Sequence, residues 1–218
     1  MSQTTWADET EQAILDAALA RAPVEGWGGD LAWRAAADVG LSRGEAELLL
    51  PNGPADLAAL LSRRHDAAAL ESLSTVDPAG LKIRERIRVA VIARLDAAVA
   101  DEAALRRCIG YLALPHRAPL ALRLAWGSAD VLWRWAGDVA TDENHYSKRA
   151  ILAGVLTSVI AAELSGDREA ALAQLDARIE NVMAFERWKA GLKPGRLGDR
   201  LVGALTRMRY GAPSVAAD

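Results

Sequence analysis

The stretch Asp30-Leu31-Ala32-Trp33-Arg34-Ala35-Ala36-Ala37-Asp38-Val39-Gly40 is followed by Leu41-Ser42-Arg43-Gly44-Glu45-Ala46-Glu47-Leu48-Leu49-Leu50 and then Pro51-Asn52-Gly53-Pro54. It reads as two short helices set between tight turns. Asp30 stands where it caps the first, Leu31, Ala35 and Val39 share a face, and Gly40 ends it. Ser42 with Glu45 three residues on is a capping box for the second, which stops at the proline–glycine turn.

Outward from this stretch the chain stays helical. Ile14, Leu15, Ala18 and Leu19 make the stripe of a preceding helix, ended by Pro23 to Gly29. Downstream, Asp77-Pro78 is an N-cap with proline at the first helical position, opening a stripe through Ile83, Ile87, Val91 and Leu95. Asp101 starts another helix, closed by Pro115, and a further one runs from about Pro119 to Val139. Beyond Thr141-Asp142-Glu143-Asn144, helices near 145–164 and 167–190 are split at Ser165-Gly166-Asp167. Pro194-Gly195 precedes a terminal helix reaching about Tyr210. The expected fold is all-α with about ten helices. It comprises a helix-turn-helix-like head (1–53), a helical body (54–192) and an amphipathic terminal helix with its tail (193–218).

The composition agrees. The 218 residues are 51% hydrophobic and 25% charged, with a net charge of −3, which is the make-up of a folded protein rather than a disordered one. One cysteine, Cys108, excludes an internal disulfide framework and fits a reducing compartment; in its helix it reads as a packing residue. The opening MSQTTWADETEQ has neither the basic start and apolar run of a secretory signal nor the arginines of a transit peptide. The longest apolar run, Ala150 to Leu164, is interrupted by Thr157, Ser158 and Glu163 and falls short of the ~20 residues of a membrane span. A surface-bound protein remains open.

A short-helix head on a helical body suggests a ligand-responsive TetR-type transcription regulator. Charge argues against that. Residues 1–50 hold Arg21, Arg34 and Arg43 against nine acids, a balance of −6. Affinity for DNA needs Lys and Arg against phosphates, and the would-be recognition helix offers Arg43 beside Glu45 and Glu47. The expectation is no nucleic-acid partner.

The distinctive block begins at Trp126-Gly127-Ser128-Ala129-Asp130. It continues through Trp133, Ala136-Gly137-Asp138, Thr141-Asp142, Asn144, Tyr146 and Lys148-Arg149. Together with Lys82-Ile83-Arg84-Glu85-Arg86-Ile87-Arg88, Gly26-Trp27, Gly40-Leu41-Ser42 and Pro51-Asn52-Gly53, it resembles the ubiquinone (coenzyme Q) biosynthesis accessory family of bacteria and mitochondria. The resemblance runs from about residue 10 to 210. It implies a TetR-like fold and a non-enzymatic role: holding a lipid or isoprenoid quinone intermediate and presenting it to the pathway's di-iron hydroxylase. No cofactor is implied beyond that ligand.

The resemblance also implies a homodimer through the helices near 145–164 and 167–190; Ile151, Leu152, Val155 and Val159 suit its apolar surface and could equally be internal core. It places the protein in the cytoplasm, peripherally on the inner membrane. Carried over position by position, it puts partner docking on Asp130, Leu132, Trp133, Asp142, Tyr146 and Arg149. His145 stands where the family usually has tryptophan. It joins this set with a smaller apolar surface to offer.

Read without the resemblance, Trp126 and Trp133 lie seven apart, on one helix face, while Trp135 points elsewhere. Core packing and a cavity wall are both compatible with that spacing. Asp142 is equally a helix cap or a docking residue. Lys148 and Arg149 follow a helix start, where the dipole disfavours cations, so they call for a partner or an internal acid.

On the terminal helix, Leu197, Leu201, Leu205 and Met208 gather in one arc, with Arg196, Arg200, Arg207 and Arg209 beside it. Seven bases against one acid from Arg187 to Arg209 make this an expected membrane-interface helix, with Leu197, Arg200, Leu201, Leu205, Arg207 and Met208 in contact. Docking onto the body is the alternative. Lys82, Arg84, Arg86 and Arg88 spread around a helix and read as a solvated face, with headgroup contact the alternative.

Chemistry of its own is not expected. His65, His116 and His145 form no paired ligand motif, and only Asp142 and His145 have the carboxylate-x-x-His spacing of a helical di-iron site. No phosphate-cradling glycine motif is present.

Overall fold

The computed structural model describes residues 6–138 and 143–191, with side chains for 6–138 and 146–181. Among these the chain forms nine α-helices and no strand: α1 (Trp6–Glu25), α2 (Leu31–Asp38), α3 (Arg43–Leu49), α4 (Pro54–Leu73), α5 (Ile83–Val99), α6 (Glu102–Leu112), α7 (Ala118–Trp135), α8 (Glu143–Glu163) and α9 (Arg168–Gly191). Short 3₁₀ turns, Pro78–Gly80 and Pro115–Arg117, precede α5 and α7. The all-α expectation holds. The described residues up to Asp176 form one compact unit, and those from Ala177 on belong to a second. The terminal-helix residues Leu197, Arg200, Leu201, Leu205, Arg207 and Met208 lie outside the described residues.

Local signals set several boundaries as expected. Ser42 accepts from the Glu45 amide while the Glu45 carboxylate accepts from Ser42, a complete capping box on α3. Gly53 adopts φ +53°, and a side chain there would press on the Trp33 ring, so glycine closes the turn that starts α4. Trp27 then donates its indole N–H to the Pro54 carbonyl at 3.0 Å.

Other boundaries moved. Pro23 sits inside the last turn of α1 instead of ending it. Asp30 occupies the N-cap of α2 without a side-chain cap bond, and Val39 is exposed while Ala32 and Ala36 complete the buried face. Asp77 caps only the 3₁₀ turn, accepting from Ala79 N–H at 2.9 Å. Leu81 and Lys82 are then extended, and α5 begins at Ile83, which is itself exposed. The register slips because a proline fixes φ for one helical residue but cannot propagate the turn alone.

α1 packs on α2, α4 and α6; α4 packs on α5 and α7; and α7 packs on α8. Ile14, Leu15 and Ala18 of α1 share one core with Leu31 and Ala35 of α2 and Leu57, Leu60 and Leu61 of α4. The core therefore runs across residue 53 without a break. Leu152, Val155 and Val159 of α8 are buried inside the same unit. These three are interior packing, the second of the two readings their stripe allowed; α8 packs on α5 and α7.

Arg86 calls for a correction. Its Nε donates to the Leu81 carbonyl at 2.9 Å and its Nη1 to the Ala136 carbonyl at 2.8 Å, joining the α5 start to the α7 end. A solvated face describes its neighbours, not Arg86. Helix C-termini leave carbonyls unpaired, and a guanidinium there satisfies them and opposes the helix dipole.

Candidate functional site

Two features of the first unit bear on function: a cavity bounded by α4, α5, α6, α7 and α8, and the face where α7 meets α8.

The cavity holds about 280 Å³. Most of its wall is aliphatic, with Leu61, Leu105, Ile109, Leu112, Leu124 and Ile160 prominent. A polar group interrupts it: Ser62 and His65 from α4, Arg94 from α5 and Ser128 from α7. The Ser62 and Ser128 hydroxyls are 3.4 Å apart across the α4–α7 contact. Arg94 is 5% exposed and its Nε donates to Asp66 Oδ1 at 2.6 Å, while its Nη1 has no hydrogen-bond partner among the described residues. Burial lowers the affinity of the Arg94 guanidinium for its proton, and Asp66 opposes that; a guanidinium stays charged regardless.

His65, 2% exposed, lies 2.9 Å from Asp101 Oδ2 through Nε2. Burial first, and the Arg94 charge second, push its pKa down to about 4 despite the Asp101 bond. The ring is thus neutral at neutral pH, and Nε2–H donates to the carboxylate as an ordinary hydrogen bond rather than an ion pair. Asp101 accordingly sits at the N-cap of α6 without capping it. Cys108 also lines the cavity, and burial pushes its thiol up to about 12, so it is an inert packing residue.

The His65 shift carries a testable consequence. The unfolded chain takes up its proton near pH 6.5, the folded chain only near 4. The contribution is complete above pH 6.5 and is lost as pH falls toward 4, by at most ~3 kcal/mol. Urea-unfolding midpoints across that window should fall with pH in the native chain and stay flatter in His65→Gln. Parallel slopes in the two would remove His65 from the account.

The second feature is built by the end of α7. Gly137, at φ +88°, lets its own N–H reach the Arg134 carbonyl and the Asp138 N–H reach the Trp133 carbonyl, both at 3.0 Å. This closure, with a left-handed glycine just past the helix, aims Asp138 back at the bundle. Arg149 of α8, 1% exposed, donates from Nε to Asp130 Oδ1 at 2.5 Å and from Nη1 to Asp138 Oδ2 at 3.0 Å. Lys148 completes Asp138 at 2.7 Å, and Arg134 completes Asp130 at 2.7 Å.

Burial pushes the Asp130 carboxyl up, but its bonds from Arg149 and Arg134 outweigh that and hold it below the usual range. Asp138 behaves alike under Lys148 and Arg149. The two cations at the start of α8 do find internal acids.

This geometry sorts the residues expected to dock a partner. Leu132 and Arg149 are 0% and 1% exposed, so no partner touches them in this arrangement. Arg149 bridges from α8 to the acids at the end of α7. Asp130 is engaged by two arginines. Trp133 donates its indole N–H to the Lys148 carbonyl at 3.0 Å, and the Lys148 ammonium lies 5.4 Å from its ring centre. Tyr146 is 64% exposed, with its ring 6.0 Å from that of Trp126. Trp126 and Trp133 share the face toward α8, as their spacing implied. Asp142 lies outside the described residues, as does the side chain of His145.

Sequence reasoning passed over Arg94 altogether. The signal was there: Arg94 falls in phase with Ile87, Val91 and Ala98 on the buried face of α5.

The family model for COQ9 matches residues 118–186, the segment that supplies α7, α8 and the whole Asp130–Asp138–Arg149 cluster. The mitochondrial ubiquinone biosynthesis protein COQ9-B of Xenopus laevis is 30% identical over 192 residues, 82% of this chain and 64% of its own. Mitochondrial COQ9 of Bos taurus is 29% identical over 185 residues, 81% and 58% respectively. That of Homo sapiens is 28% identical over 185 residues, with the same coverage. Over these spans the chain is similar to COQ9 ubiquinone biosynthesis proteins. It spans 58 to 64% of the length of these COQ9 relatives. Their similarity reaches well beyond the 118–186 match, to about four-fifths of the chain.

The match also bears on the regulator reading. In α3, Arg43 bonds Glu47 at 2.9 Å and lies 5.7 Å from the Trp33 ring centre, so the one basic side chain of that helix is already engaged. The three relatives are each, by name, a ubiquinone biosynthesis protein. No helix among the described residues is long and apolar enough to cross a membrane.

Proposed function

We propose that this chain is a COQ9-type protein that serves ubiquinone biosynthesis as a non-enzymatic accessory protein. It binds a lipid or isoprenoid quinone intermediate in the α4–α8 cavity and delivers it to a partner hydroxylase at a membrane surface. The observation that carries the reading is the aliphatic cavity itself, walled on one side by the α7–α8 segment that matches the COQ9 family. Ligand pockets are predominantly apolar with a few placed polar groups, and this one has that make-up.

The volume of about 280 Å³ lies at the low end of the ~300–1,000 Å³ of ligand sites. One end of an amphiphile fits; a long isoprenoid tail does not, and most of it stays outside. A tail left outside needs an apolar surrounding, which a membrane supplies. Partner docking on the α7–α8 face rests on exposed Tyr146, an aromatic of the type that anchors interfaces, whose ring lies beside that of Trp126. The basic and apolar pattern of residues 196–209 supports membrane contact there.

Organic extraction of the purified protein followed by mass spectrometry tests the reading. A co-purifying lipid or quinone is the expected result. Protein free of lipid that nevertheless binds duplex DNA at physiological salt would overturn it in favour of a regulator.

A further inference from the structure

The polar part of the cavity is more than a satisfied core cluster. Arg94 is almost wholly buried and lines the cavity, yet one of its two terminal nitrogens has no acceptor among the described residues. A buried guanidinium N–H without an acceptor is costly, because the group has lost water and gained nothing in return. Beside it on the same wall stand two hydroxyls, Ser62 and Ser128, whose mutual contact at 3.4 Å leaves them bonding capacity. Such a set, inside an otherwise aliphatic wall, is suited to an oxygen acceptor carried on an apolar body.

Charge narrows the class. Arg94 is already balanced by Asp66, and His65 directs its proton to the Asp101 carboxylate. Around the polar group stand the Arg94 and Arg64 cations, the Asp66 and Asp101 carboxylates and a neutral imidazole, so these charges already balance. A carboxylate ligand would add a third negative charge; a neutral carbonyl takes the free N–H without one.

We propose that Arg94, with Ser62 and Ser128, is a subsite for the neutral carbonyl of a ring-bearing amphiphile, which enters the cavity head first and leaves its tail toward the opening. This rests on the lipid-binding reading and deepens it: a quinone-type ring is the class that combines an apolar body with neutral carbonyl oxygens. It also means that the ring is covered while bound, so delivery to an enzyme requires its withdrawal rather than display of a protruding head.

Three probes of similar shape separate the possibilities: decyl-para-benzoquinone, decylbenzene and para-decylbenzoate, each displacing a solvatochromic dye from the full chain. The quinone should bind about tenfold or more tightly than decylbenzene, the worth of a hydrogen bond from a charged donor. Decylbenzoate should bind no more tightly than the quinone. In Arg94→Lys, which keeps a cation beside Asp66 but loses the forked donor, the quinone-to-decylbenzene ratio should collapse toward one.

The infrared carbonyl band of the quinone bound to the native chain needs no variant and should lie below its position in alkane solvent. Equal affinities for quinone and decylbenzene, or an unshifted carbonyl band, would overturn the subsite while leaving lipid binding intact. Tighter binding of decylbenzoate would overturn the neutral-carbonyl assignment. If none of the three displaces the dye, the lipid-binding reading fails together with the subsite.

Discussion

Arg149→Leu is expected to destabilise the fold by about 3–5 kcal/mol, read as a fall in the urea midpoint at unchanged slope. Arg149 is 1% exposed and holds two carboxylates at once, Asp130 at 2.5 Å and Asp138 at 3.0 Å. Removing it leaves both acids short of a donor. Asp138, with its side chain only 6% exposed, keeps Lys148; Asp130, at 24%, keeps the exposed Arg134. Those remaining partners hold the loss toward the lower end of the range.

The contrast variant is the combination Arg149→Leu, Asp130→Asn and Asp138→Asn, which strands no buried charge, since Lys148 and Arg134 reach solvent. Most of the lost stability should return, because the cost of breaking a buried ion pair lies largely in the partner left behind. A single variant as stable as the native chain would show that this cluster contributes nothing to the α7–α8 contact. Near-ultraviolet dichroism should change with it, since Trp126, Trp133 and Tyr146 all report on that contact.

The second large effect is at the cavity. Asp66→Ala removes the one carboxylate that bonds the buried Arg94 guanidinium, at 2.6 Å, and leaves that cation uncompensated. About 3–5 kcal/mol should be lost, again in the urea midpoint. Replacing both members, Asp66→Leu with Arg94→Met, should cost far less than Asp66→Ala alone, because apolar groups of similar size suit a buried ion-pair site. A double variant as unstable as the single would mean that the surrounding wall depends on shape rather than on charge. The double variant serves function as well. It should still accept decylbenzene, since the aliphatic wall remains, while the polar end is gone.

Much of the fold is legible residue by residue. Ser42 and Glu45 announce the start of α3, and Pro51 to Pro54 the turn after it, because each involves partners within three or four residues. Where the reading slipped, a local signal was overridden by neighbours. Asp77-Pro78 has every mark of a helix start, yet it begins a single 3₁₀ turn, and the chain runs extended until Lys82 pairs with Glu85. Asp101 has a capping aspartate's position and spends its carboxylate on His65, 36 residues away.

The candidate site was less legible, for the same reason taken further. Trp126 and Trp133 were placed on one face correctly, since periodicity alone decides that. Docking by Leu132 and Arg149 was not, because exposure depends on which element covers a face. Leu152, Val155 and Val159 form an apolar stripe whose partner no pattern within α8 can name.

The sequence by itself determined that this chain is helical, where most helices begin and end, and that its first fifty residues carry a net charge of −6. It also showed that Lys148 and Arg149, placed against the helix dipole, call for a partner or an internal acid. These follow from interactions between near neighbours and from sums of charge, which need no coordinates. Only the tertiary structure decided which acids they meet. It alone brought Ser62, Arg94 and Ser128 to one wall, from three helices far apart in the chain. Side chains so separated come together through packing that involves the whole core, and no spacing along a single helix encodes it.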